Sequence, residues 1–305
     1  MVDGIRIRIP RLLDLSELQK LDFKVEKRFP NSSTVEYGFY GLKIRVTEKA
    51  TYIEGSIHKF WNLVSNGRRH NSNAFHIRDV IWSLNYLCDE LSIHPNECIV
   101  QTLEFGINIH LDIPASEFIS QSIIAYKWRA VNRNDDVIKG RKAKNYRWEI
   151  NDTWLKVYDK SLDAGIHHKN ILRLEIKMLG RRAVSRLNIS TLSDLLLPDT
   201  YPHLLEELVK AWDKLTVVDA IKPSIIMPMR YRSSYNKFTN PKTYELYQSL
   251  INSNAQRKQF SREYAEFQRI LAEYKLDSQK RTLRTRVKSI GRSLLAPSVS
   301  QNPLT

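Results

Sequence analysis

Ile99-Val100-Gln101-Thr102-Leu103-Glu104-Phe105-Gly106-Ile107-Asn108-Ile109-His110-Leu111 decides the fold class of this chain. A strand sends successive side chains to opposite faces. Phe105, Ile107, Ile109 and Leu111 therefore share one face, and Glu104, Gly106, Asn108 and His110 the other. The same alternation marks residues 5–9, ended by Pro10, and further strands are expected at 42–46 and 52–57. Residues 65–73 read as a polar loop. Asn73 can cap a helix to about residue 91, with Phe75, Val80, Ile81, Leu84, Leu87, Cys88 and Leu91 in one stripe. A second helix is expected from Pro114 and Ser116 to about Trp128. A basic loop over 133–144 then leads to a hairpin, 146–150 and 154–158, turned by Asn151-Asp152. A last strand, 171–178, is set off by Gly165 and Gly180. This succession predicts an α+β fold, a mostly antiparallel central sheet with packed helices.

Beyond Leu192 the pattern turns helical. The expected division is a folded domain over 1–215, a linker over 216–241 containing Pro223 and Pro228, a basic helical C-terminal segment over 242–295, and a disordered tail over 296–305.

Charge narrows the partner. Lys and Arg number 48 against 33 Asp and Glu, a net +15. From Ile221 onward there are 16 basic and 5 acidic residues, so that stretch carries +11. Such an excess favours a polyanion through counterion release, nucleic acid before an anionic membrane surface. No run of apolar residues is long enough to span a bilayer, and Arg6 and Arg8 stand where a secretory leader would be apolar, so a cytoplasmic protein is expected. Cys88 and Cys98 read as buried free thiols.

Polar residues on strands that also carry a core mark candidate chemistry. Glu104 and Glu175 each sit mid-strand among apolar neighbours, and a carboxylate there must be paired or ligating. Two on one face suit a hard divalent cation, Mg2+ or Mn2+. The competing reading is structural salt bridging, for instance of Glu175 with Arg173 or Lys177. Tyr158-Asp159-Lys160 ends the strand between them; tyrosine can form covalent intermediates, and a neighbouring cation stabilises phenolate or phosphate charge. His110 and His167-His168 are possible ligands or proton carriers. His-x-His, Walker, G-x-G-x-x-G, G-x-S-x-G and zinc spacings are all missing.

At these residues the chain resembles the filamentous-phage gene II replication proteins and, more loosely, the plasmid Rep initiators. The likeness lies in Met1-Val2-Asp3 … Arg8-Ile9-Pro10, in Glu54-Gly55-Ser56-Ile57-His58-Lys59 through His70-Asn71, in Leu103-Glu104-Phe105, in Val157-Tyr158-Asp159-Lys160 and in Leu172-Arg173-Leu174-Glu175. It covers roughly residues 1–215, which the resemblance makes a rolling-circle Rep nuclease-like nicking and joining domain. It implies Tyr158 as nucleophile with Lys160 beside it, and Glu104 and Glu175 about a Mg2+ or Mn2+ ion, to which His110, from its place on the same strand face, is added as a candidate ligand. Glu104 stands where the family has Asp. Tyr146, on the preceding strand, is a second candidate for the nucleophile. The implied reaction is site-specific nicking of origin DNA through a 5′-phosphotyrosyl link, followed by rejoining, with host helicase and polymerase as possible partners. Lys59, Arg68, Arg69, Arg141, Lys142, Lys144, Arg281, Arg284 and Arg286 are the residues expected to hold phosphates of single-stranded and duplex DNA. Trp128, Trp148 and Trp154 either stack bases or pack the core. The rival readings are a non-catalytic origin-recognition or packaging protein, and a metal-dependent nuclease that uses water.

Overall fold

The computed structural model describes residues 1–14, 24–28, 33–138, 141–166, 168–250 and 253–296. Among these the strands are β1 (Val2–Ile9), β2 (Lys24–Arg28), β3 (Val35–Phe39), β4 (Leu42–Val46), β5 (Thr51–Ser56), β6 (Ile99–His110), β7 (Ile123–Tyr126), β8 (Arg129–Ala130), β9 (Asn132–Ile138), β10 (Arg141–Ile150), β11 (Thr153–Asp159), β12 (Ile171–Leu179) and β13 (Leu215–Val217). Ten of them form one sheet in the order β2-β3-β4-β5-β1-β6-β12-β11-β10-β9, and every neighbouring pair is antiparallel. The fold is α+β, as the alternation in β6 requires.

β6 lies between β1 and β12. Its register sets Leu103 opposite Ile5 and Met178, Phe105 opposite Ile176, and Ile107 opposite Leu174, all buried. Burial of this stripe drives assembly, each large side chain contributing about 1.5–3 kcal/mol. Helices α1 (Ile57–Asn66), α2 (Ile77–Glu90), α3 (Ala115–Ser122), α4 (Lys160–Asp163), α5 (Arg181–Ser185), α6 (Leu192–Leu196) and α7 (Thr200–Asp213) follow among the strands. Helix α1 was not expected. The Ser56 hydroxyl caps it by accepting from the Lys59 amide, and Gly67 ends it in the left-handed region at φ 69°. Helix α2 starts later than Asn73 would place it, with His76 at its N-cap.

Two other expectations need correction. The helix from Ser116 stops at Ser122, where the β-branched Ile123 and Ile124 enter β7 and pair with β13. The basic loop over 133–144 is instead the β9–β10 hairpin, with Arg141 opposite Ile138 and Arg147 opposite Asn132. Strand pairing there overrides a composition poor in strand formers.

Residues 216–241, expected as a linker, contain most of β13 and helix α8 (Met229–Thr239). Helices α9 (Pro241–Leu250), α10 (Asn254–Glu273) and α11 (Ser278–Leu295) follow. Phe238, Tyr244, Phe260, Phe267 and Ile270 bury with Ile124 and Ala125 in a second core, while Leu283, Val287 and Leu294 of α11 join the main one. Gly291 is where α11 crosses α7: a Cβ there would collide with Leu205. Cys88 and Cys98 are buried and free. Among the described residues no helix is long and apolar enough to cross a membrane. The expected tail lies outside the described residues, Ala296 apart.

Candidate active site on the polar sheet face

Three registered rows of side chains cross β6, β12 and β11 on the face opposite the core. They are Asn108–Arg173–Tyr158, Gly106–Glu175–Lys156 and Glu104–Lys177–Trp154. Gly106 makes the middle row possible. A Cβ there would strike the Leu174 carbonyl and lie 3.2 Å from Arg173 Nε, so only glycine lets the guanidinium lie across β6.

Arg173 is the hub. Its Nη2 donates to Asp3 Oδ2 at 3.0 Å, its Nη1 to Asn108 Oδ1 at 3.1 Å and its Nε to Glu175 Oε2 at 3.4 Å. Asp3 is fixed in turn by the Ser56 hydroxyl at 2.5 Å and Asn71 Nδ2 at 2.9 Å. Lys156 Nζ bridges the two strand carboxylates, 2.9 Å from Glu175 Oε1 and 3.7 Å from Glu104 Oε1, and Lys177 Nζ lies 2.5 Å from Glu104. Side-chain exposure separates two tiers, with Arg173, Asp3 and Glu175 at 4–6% and Lys156, Glu104 and Lys177 at 19–24%.

The electrostatics follow. Burial pushes the Asp3 carboxyl up, but Arg173 and the Ser56 hydroxyl outweigh it and hold the group down at about 2. Burial and then the Glu175 charge push the Tyr158 phenol well above its ordinary value, with Arg173 the opposing influence. His58, stacked on Phe75 at 4.4 Å and bound through Nε2 to Asn73 Oδ1 at 2.7 Å, is lowered to about 3 by burial, with Arg173 also lowering it. It is a neutral imidazole at physiological pH.

The expected site residues separate sharply. Tyr158, Glu104 and Glu175 come together around Arg173 and Lys156. Lys160 joins their edge, 5.7 Å from the Tyr158 ring centroid, with its Nζ 2.6 Å from Asp163. Asp159 between them serves the backbone: it caps α4 through the Leu162 amide and accepts from the Ser116 amide and hydroxyl at 3.0 and 2.7 Å. Tyr146 does not join. It pairs with Val157, faces the core at 3% exposure and packs edge-on to Trp148. His110 does not join Glu104 either. It is exposed and six residues along the same strand, about 20 Å away. His167 lies outside the described residues, and His168 is exposed.

Several of the cations expected to hold phosphates already have protein partners. Arg281 pairs with Asp277 at 2.8 Å, Arg284 with Asp213 at 2.6 Å, and Arg286 with Asp112 at 3.1 Å while also donating to the His110 carbonyl. Arg68 and Arg69 are exposed and Lys59 is half-buried. Arg141, Lys142 and Lys144 lie on β10, with their side chains outside the described atoms. Of the three tryptophans, Trp148 is buried in the main core and Trp128 packs on Phe260, Tyr247 and Tyr264. Trp154 alone of the three stands on the polar sheet face, half-buried.

A hard divalent cation does not fit these donors as they are arranged. Asp3, Glu104 and Glu175 supply three negative charges, and Arg173, Lys156 and Lys177 neutralise all three at salt-bridge distance. An ion would have to expel a partly buried ammonium or a buried guanidinium to reach two carboxylates. Among the described residues no three His, Cys, Asp or Glu side chains converge as a metal needs.

The alternation of β6 and β12 pointed to the two glutamates. Asp3, Asn108 and Lys156 were given no role in the site from sequence, although Asn108 shares the polar face of its strand and Asp3 carries a signal, an acid just inside an apolar strand start.

The fold and this face define an α+β sheet protein with a phenol set among buried ion pairs. No family model matches the sequence. No curated protein matches it either. Among solved structures it is similar to a rolling circle replication initiator protein from Geobacillus stearothermophilus, at 14% identity and a TM-score of 0.44, over 74% of this chain and 88% of that one.

Proposed function

We propose that this chain is a replication initiator that nicks and rejoins DNA through Tyr158. The observation that carries the reading is the placement of the Tyr158 phenol opposite Arg173, on a sheet face bearing Lys156, Lys160 and Lys177 at its edge. Such a cluster matches the charge that develops on a phosphodiester under attack. Tyr158 Oη forms a bond to phosphorus as the bond from phosphorus to the 3′ oxygen breaks. The phenolic proton ends on the departing oxygen, leaving a 5′-phosphotyrosyl link and a free 3′-OH. Reversal by a 3′-OH rejoins the strand, one phosphoester being exchanged for another without a nucleotide cofactor.

Arg173 holds the geometry and offsets negative charge near the phenol. Lys156 and Lys177 are the cations an arriving phosphate can draw from their carboxylates, and Glu175 is the carboxylate whose field acts most on the phenol. A Mg2+ or Mn2+ ion at Glu104 and Glu175 would polarise the scissile phosphate. The pairing of both carboxylates opposes that part of the expectation, so no step here depends on it.

The test is a denaturing gel of the full chain incubated with labelled single-stranded DNA tiling the replicon that encodes it. A protein–DNA adduct that survives denaturation supports the reading, and adduct-free binding would leave a DNA-binding protein without this chemistry.

A further inference from the structure

The uncompensated charge of the C-terminal helices lies on α8 and α10, away from the paired arginines of α11. Residues 222–262 hold eight Lys and Arg and a single acid, Glu245. Arg230, Lys237, Arg262, Glu263 and Glu266 line a groove between α8 and α10. Lys237 holds Glu263 at 2.5 Å and Arg269 holds Glu266 at 2.6 Å, whereas Arg230, Arg232 and Arg262 have no carboxylate partner among the described residues. At the start of α8 the same surface carries apolar side chains in water. Ile226 is 90% exposed and Met229 78%, the two highest values for large apolar side chains among the described residues. A slack loop does not explain them. The Ile225 amide donates to the Lys222 carbonyl at 3.0 Å, and Ile225 and Met227 pack in the second core, so both neighbours of Ile226 are anchored. Pro228 then fixes the entry into α8. The first turn of that helix holds Arg230 and Arg232 and no acid. Cations at the positive end of a helix dipole are unfavourable, and an anion placed there offsets them.

We infer that this corner, from Lys222 to Arg232, docks on an anionic lipid bilayer, with Ile226 and Met229 entering the headgroup–acyl boundary and Lys222, Arg230 and Arg232 taking lipid phosphates. The cations alone suit any polyanion. The two apolar side chains decide between occupants. A nucleic-acid backbone gives them nothing to bury against, whereas a bilayer interface removes them from water directly beside its phosphates. Each Lys or Arg near an anionic leaflet strengthens attachment about fivefold. Two apolar side chains and a few cations give reversible, peripheral attachment. That agrees with the described helices, none of which is long and apolar enough to cross a membrane. Docking uses no residue of the Tyr158 cluster, so the inference stands or falls independently of the nicking reading.

The experiment is co-sedimentation of the full chain with vesicles of phosphatidylcholine alone and of phosphatidylcholine mixed with phosphatidylglycerol, alongside binding to a duplex DNA. The parent should sediment with the anionic vesicles, remain in solution with the neutral ones, and come off as salt rises. Ile226→Ser with Met229→Ser should weaken vesicle binding at least tenfold, with duplex affinity and thermal midpoint unchanged, because both side chains are already in water in the free protein. Ile226→Leu with Met229→Leu keeps the apolar surface and should retain vesicle binding, which separates insertion from damage to the fold. Arg230→Gln with Arg232→Gln should weaken vesicle binding about fivefold for each charge removed. A parent chain that stays in solution with anionic vesicles would overturn the inference, as would serine variants that bind them like the parent. Arginine variants that lose duplex DNA as strongly as vesicles, beside serine variants that lose neither, would make the corner a nucleic-acid surface instead.

Discussion

Tyr158 and Arg173 stand directly opposite each other on β11 and β12, a phenol facing a guanidinium that is 4% exposed. Burial and Glu175 hold the phenolic proton on, while Arg173 draws it off. Because that pKa lies above its ordinary value, the phenolate fraction climbs about tenfold per pH unit through the neutral and mildly alkaline range. Adduct formation should climb with it between about pH 7 and pH 9. Arg173→Lys keeps a charge for Asp3 but loses the fork, and should slow adduct formation by about a hundredfold. A flat pH profile, measured by quenched-flow or timed gel sampling, would show that loss of this proton does not limit the reaction.

Asp3 is the counterpart of the same guanidinium. Asp3→Asn leaves Arg173 with Glu175, at 3.4 Å, as its remaining carboxylate partner and should cost about 2–3 kcal/mol at neutral pH. Since the folded-state pKa is depressed to about 2, the carboxylate's contribution is complete above the ordinary carboxylate range and fades as pH falls through about 2. Denaturant titrations of parent and variant should therefore converge between about pH 4 and pH 2. A constant gap across that window would place the stabilisation elsewhere.

Both strand glutamates are held by lysines, so the parent's thermal midpoint should not respond to Mn2+. Lys156→Ala removes the ammonium shared by Glu104 and Glu175 and should make the midpoint rise with Mn2+ concentration, as linkage to a bound ion requires. A parent midpoint that already rises by several degrees would restore a metal to these carboxylates.

Truncation after Leu215 removes Leu283, Val287 and Leu294 from the main core and uncovers α7. At about 1.5–3 kcal/mol for each large side chain, the loss approaches the whole stability of an ordinary domain. The truncated chain should be insoluble or expanded on gel filtration. A folded, monodisperse product would make the helical segment an appendage.

The legible parts of the fold were those with strict alternation. In β6 and β12 one face is dry and the other carries charge, so the period of two survives in the sequence and names Glu104 and Glu175. The β9–β10 hairpin was hidden because Arg141, Lys142 and Lys144 carry little strand preference; pairing with neighbours forms those strands. Helix α1 was hidden because its first residue, Ile57, also continues the apolar alternation of β5. The hub could not be read at all from local pattern. Arg173 meets Asp3, 170 residues away, only through the register of β1, β6 and β12. Similarly, density of charge suggested that Arg281, Arg284 and Arg286 reach DNA, while the fold gives each a carboxylate partner.

The central claim is that Tyr158 is the nucleophile, and peptide mapping of the protein–DNA adduct tests it most directly. The full chain is trapped on single-stranded DNA, digested with nuclease and protease, and the nucleotide-bearing peptide is sequenced by mass spectrometry. The account predicts the remnant on Tyr158, no adduct from Tyr158→Phe despite unchanged DNA binding, and a normal adduct from Tyr146→Phe, because Tyr146 faces the core. A remnant on Tyr146 or any other residue, or a full-strength adduct from Tyr158→Phe, would contradict it.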